Sequence, residues 1–157
     1  MLAGLLGEHW EVGSLRFKPY PSNYYTHAGI DAALALSRRG LKPEQVQSAE
    51  LAVATPMLRT MGEPLVRKRA PRSAYEAKFS GPYTVASALI GGTGLGLGIN
   101  DFTDLLVHEP RRVALMQHIT VVALRRRIPR PSAGGLNRRY DGRRSASRSG
   151  DGKSRRS

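Results

Sequence analysis

The side chains best suited to chemistry lie close together, in Phe17 to Asp31, FKPYPSNYYTHAGID. Fifteen positions hold one Lys, one Asn, one His, three Tyr and two Pro. Lys18 supplies a positive charge, Asn23 and Tyr20 supply directed hydrogen bonds, and His27 can carry a proton near neutral pH. Together these groups suit the binding of a small anion, with proton transfer beside it. Pro19 and Pro21 fix φ near −65° and push the residues before them toward extended geometry, so Lys18 to Ser22 cannot be helical. The stretch is a stiff loop that leads directly into a helix. A purely structural reading also fits, in which the prolines frame a helix start and the tyrosines pack on a core.

The elements that would hold this loop follow in order. Trp10, Val12, Leu15 and Phe17 alternate loosely and predict a short strand over about His9 to Phe17, interrupted near Gly13. From Ala28 to Arg39 the apolar spacing is helical, with Thr26 as N-cap, Arg38 and Arg39 at the carboxyl end and Gly40 just past it. Pro43 opens a single turn, Ala49 to Thr55 reads as a strand, and Pro56 ends it. Met57 to Pro71 is mixed, and its Arg67-Lys68-Arg69 run reads as a solvated face. Ser73 and Glu76 have capping-box spacing, but Gly81 and Pro82 favour a main helix that starts at Ser80 and stops at Gly91. That places Tyr83 in the first turn, near where an anion would dock on free N–H groups.

Gly91 to Asn100, GGTGLGLGIN, fits no phosphate-loop register and follows a helix where a strand is required, so it reads as a flexible connection. Short helices are predicted over Asp101 to Leu106 and from Pro110 to about Gln117, and Ile119 to Leu124 reads as a last strand.

Two blocks carry a resemblance. FKPYPSNYYTHAGIDAAL resembles the K-P-Y-P motif, T-H pair and I-D-A helix start of the MmgE/PrpD family, which includes 2-methylcitrate dehydratase and cis-aconitate decarboxylase. EAKFSGPYTVASAL, Glu76 to Leu89, is similar to that family's E-A-K-F-S-x-P-Y block. The resemblance covers roughly Leu5 to Val122. It implies an α+β fold, a small mixed sheet packed with two or three helices, forming a C-terminal, lid-like domain without the large helical domain that precedes it in relatives. It also implies a lyase acting on small di- or tricarboxylates without metal or redox cofactor. Lys18 then corresponds to a carboxylate anchor or proton donor and His27 to the T-H histidine, both as catalytic candidates. Asn23, Tyr20 and Tyr83, with Lys18, are the substrate-binding candidates, and Lys78 is a weaker one. Asn23 stands where many relatives have Cys or His, so it can orient a carboxylate but not transfer its proton. His108 and His118 match nothing in the motif, and the four scattered His show no metal-ligand spacing. The missing helical domain, or a homodimer partner, is expected to complete the site.

Composition bounds the rest. The 157 residues suffice for one domain with its own core, and the absence of cysteine excludes disulfides and thiolate metal sites. No apolar run approaches a membrane span and the amino terminus lacks a basic n-region, so a cytoplasmic protein is expected. The formal charge is +13, yet residues 125–157 hold twelve Lys or Arg against two Asp. The folded part, residues 1–124, therefore retains only +3. Residues 125–157 are Arg, Ser and Gly with few apolar side chains, and read as a disordered tail able to bind nucleic acid without specificity. Relatives continue at this point with another strand and a return into the helical domain.

Overall fold

The computed structural model describes residues 11–124. Residues 125–157, expected as a tail, and residues 1–10 lie outside the described residues. The architecture is α+β. A sheet of two parallel strands, β1 (Ala49–Val53) and β2 (Ile119–Ala123), lies on a layer of helices. Its register pairs Ala49 with Ile119 and Val53 with Ala123.

Seven helices occur among the described residues: α1 (His27–Arg38), α2 (Thr55–Gly62), α3 (Leu65–Arg69), α4 (Ala74–Ala77), α5 (Gly81–Ile90), α6 (Asp104–Val107) and α7 (Pro110–Gln117). The centre is α5. Tyr83, Ala86 and Ala88 have no solvent exposure and Leu89 has 3%. Its small side chains let α1 on one side and α7 on the other approach closely, around Ile30, Leu34, Leu115, Met116 and Ile119. The fully buried Ser80 caps α5 by accepting from Tyr83 N–H at 3.0 Å, and Pro82 occupies the first turn as expected. A second small cluster, Val53, Met61 and Val121, seats α2 under the sheet.

Four departures from the sequence reading concern the course of the chain. No strand forms over the part of His9 to Phe17 that is described: Glu11–Ser14 is a 3-10 turn, and Val12, Leu15 and Phe17 are 71%, 60% and 90% exposed. The alternation is present, but no neighbouring strand pairs with it. Pro56 does not simply end β1; it sits in the first turn of α2, where its missing N–H costs nothing. The Arg67-Lys68-Arg69 run is only partly solvated. Lys68 Nζ donates to Phe79 O at 2.9 Å, and Arg69 donates to Ile119 O at 2.9 Å and Thr120 Oγ1 at 3.0 Å. Burial depresses the Lys68 ammonium below the usual lysine range; Glu76 opposes that shift and Arg67 adds to it.

The fourth departure is the glycine-rich connection, which is held rather than loose. The buried Asp101 carboxylate accepts from Thr93 N–H at 2.8 Å, Thr93 Oγ1 at 2.9 Å and Gly98 N–H at 2.6 Å through one oxygen. The loop drives Leu97 into the core at 1% exposure.

Candidate functional site

The proline-framed corner is built from its backbone outward. Asn23 accepts from Tyr25 N–H at 3.0 Å through Oδ1, which fixes the amide plane and leaves its NH2 group free to donate. Thr26 does not cap α1 with its side chain, as expected from sequence; it tightens the corner instead. Its N–H and hydroxyl both donate to Asn23 O, at 3.0 and 2.7 Å. Because the Thr26 proton is used there, the 2.7 Å contact between Ser22 and Thr26 has Ser22 as donor. Both hydroxyls are buried, so these bonds are not diluted by water.

Behind the corner stands an aromatic wall. Tyr20 is 5% exposed, donates to Asp31 Oδ1 at 2.5 Å, and meets the His27 ring edge-on at 5.4 Å between centroids. Tyr24 covers the other side of His27 at 5.3 Å. His27 is itself 8% exposed, and its Nε2 is shielded from solvent with no hydrogen-bond partner. Desolvation, followed by the bond to and charge of Asp31, pushes the Tyr20 phenol up to about 12, with Arg38 acting against the shift. Tyr20 thus serves as a neutral donor over any ordinary pH.

The two sequence blocks meet at this corner. Asn23 N–H donates to Lys78 O at 2.9 Å, which ties the K-P-Y-P loop to the E-A-K-F-S segment. The latter is in turn locked by Ser80 Oγ donating to Lys68 O. Lys78 extends its ammonium over the Phe102 ring at 6.0 Å.

The five sequence-predicted residues lie at three depths. Lys18 is exposed on the loop and Asn23 half-buried beside its end, so these two face outward. Tyr20 and His27 stand behind them. Tyr83 is deeper still: its hydroxyl donates to Asp101 O at 2.5 Å, and burial raises its pKa, with Ser87 and Arg112 acting in the opposite direction. The expected anion dock at the start of α5 is closed, because Ser80 uses the free N–H of Tyr83 and the whole first turn is buried. Sequence reasoning missed Asp101, the acceptor for Tyr83, and read Asp31 as structural without the bond it accepts from Tyr20. Eighteen and eleven residues separate those pairs, and no local spacing signals either bond. Among the described residues no three His, Asp or Glu side chains converge as metal ligands.

The family model for the MmgE/PrpD C-terminal domain matches residues 20–128. The chain belongs to the MmgE/PrpD C-terminal domain family. None of the curated proteins matches it. The family match includes Tyr20, Asn23, His27 and Tyr83 and begins two residues after Lys18, so Lys18 is assigned by the motif alone. Among the described residues of this MmgE/PrpD domain, no helix is long and apolar enough to cross a membrane.

Proposed function

We propose that this MmgE/PrpD domain is the small, lid-like half of a lyase that dehydrates or decarboxylates small di- or tricarboxylates, of the 2-methylcitrate dehydratase kind. Lys18 anchors a substrate carboxylate, the free Asn23 amide orients it, and Tyr20 and His27 hold the corner from behind. The observation that carries this reading is the bond from Asn23 N–H to Lys78 O, which joins the two motif blocks into one rigid corner with Lys18 on its outer side.

The exposure of Lys18 has an energetic consequence. A Lys–carboxylate pair at about 4 Å gains roughly 1 kcal/mol in water, against about 4 kcal/mol at an effective dielectric near 20, before desolvation is counted. A second body closing over the corner supplies that lower dielectric. An exposed Lys18 holds substrate weakly, and the base that removes the acidic carbon's proton is expected from the helical domain of the family.

Turnover is therefore expected only when the purified chain is mixed with a helical domain of the family, followed by the ultraviolet absorbance of the unsaturated product. Lys18→Met should lower the rate of the mixture by about 10² to 10⁴ while leaving thermal unfolding unchanged, the range typical of a positioned proton-transfer or charge-stabilising group. Turnover by the chain alone, or a fully active Lys18→Met mixture, overturns the reading.

A further inference from the structure

Among the three consecutive cations of α3, Lys68 combines a bond to the chain's own backbone with a place in the wall of an open recess. Its Nζ donates to Phe79 O at 2.9 Å, and its carbonyl accepts from the hydroxyl of the fully buried Ser80. Both ends of the residue are therefore fixed. The recess, of about 380 Å³, is lined beside Lys68 by Glu63, Pro64, Arg67, Tyr75, Glu76 and Phe79. Tyr75 and Phe79 form an aromatic wall, with ring centroids 5.2 Å apart and planes tilted by 56°.

The acidic groups of the recess do not hold the amine. Glu76 accepts from Arg67 through Oε1 and from Arg72 N–H through Oε2, both at 3.0 Å. No described carboxylate forms an ion pair with Lys68. Desolvation accordingly favours its neutral amine, which is the nucleophilic form. With one N–H held on Phe79 O, the nitrogen lone pair is directed away from that carbonyl, so the attacking atom is positioned before a ligand arrives.

The surroundings select what it attacks. An aromatic ring can stack on Tyr75 and Phe79. Arg67 is neutralised by Glu76 and Glu63 adds a negative charge, so an anion is not favoured. We infer that the recess captures a neutral aromatic aldehyde, which Lys68 converts to an imine. The Nζ lone pair bonds to the carbonyl carbon, the carbonyl oxygen collects two protons from the nitrogen through solvent, and the carbon–oxygen bond breaks to release water. A carbon–nitrogen double bond remains. No electrons enter or leave, so no oxidant or reductant is required.

Benzaldehyde with sodium cyanoborohydride, which reduces each imine to a stable benzylamine, tests this on the full chain, with peptide mass mapping to locate the label. At pH 7 Lys68 is expected to be labelled about tenfold faster than the exposed Lys18 and Lys42, the scale of one good aromatic contact. Glyoxylate, an aldehyde that carries a carboxylate, should show no such preference. Tyr75→Ala should remove most of the advantage with unchanged circular dichroism, because that ring is 71% exposed. Lys68→Arg should eliminate the fast phase while keeping a donor for Phe79 O. Equal labelling of Lys68, Lys18 and Lys42 overturns the inference. So does a preference that survives Tyr75→Ala or extends to glyoxylate, since either would mean a generally reactive amine without an aldehyde site.

Discussion

Tyr20 shows how one residue couples the corner to pH. Its hydroxyl donates to Asp31 at 2.5 Å, and the folded chain holds that proton up to about 12 against an ordinary value of 10.0. A raised folded pKa means that the protonated form is favoured by folding, so the contribution is complete below pH 10 and disappears as pH rises through 12. The difference in unfolding free energy between the parent chain and Tyr20→Phe should therefore be constant from neutral pH to about 10 and shrink above it. Urea titrations at intervals across that window would measure it, and a difference that stays constant up to pH 12 refutes the coupling. What sequence shows at this scale is the stiffness: two prolines in Lys18 to Ser22 dictate a non-helical corner whatever surrounds it. It does not show that Tyr20, Ser22, Thr26 and His27 turn inward while Lys18 stays wet, because that depends on where α5 and Lys78 lie.

Among the elements, locally coded boundaries were legible and distant pairings were not. Ser80 to Gly91 carries its own cap, proline and glycine, and Pro110 to Gln117 its opening proline, and the helices begin and end there. The strand expected over His9 to Phe17 had the right alternation, but a strand needs a neighbour, and alternation does not supply one. The Gly91 to Asn100 connection misled in the opposite sense. Glycine frequency suggested freedom, while a single carboxylate beyond the loop's end gathers three donors and removes it. Close approach at that carboxylate requires glycine at position 92, where an added Cβ would lie 2.6 Å from Asp101 Oδ2. Asp101→Ala leaves those donors without an acceptor and should destabilise the domain by about 3 kcal/mol, at the scale of a lost hydrogen-bonded buried charge. Amide exchange at Thr93 and Gly98 should accelerate with it. A loss below about 1 kcal/mol with unchanged protection would show that the loop is held by Leu97 packing alone.

For the whole molecule, the distribution of charge separates two regions that a bulk isoelectric point would merge. The chain carries +13, of which +10 lies in residues 125–157, so the MmgE/PrpD domain is only mildly basic. Several of its cations are already committed: Arg67 to Glu76, Arg111 to Glu44, Arg112 to Glu109 and Arg69 to the sheet edge. Residues 1–124 set ten acidic side chains against thirteen cations, whereas twelve cations within 33 residues can displace many condensed counterions. Each phosphate neutralised on duplex DNA adds about −0.9 to the slope of log affinity against log salt. Deleting residues 125–157 should therefore remove most of the affinity for random-sequence duplex at low salt and flatten that slope. Thermal unfolding should stay where it was, because the core described above lies wholly before residue 125. Fluorescence anisotropy over a salt series would measure both quantities. Affinity and slope that survive the deletion would place the polyanion surface on the domain itself, and the outward-facing Lys18 would then have a competing ligand to account for.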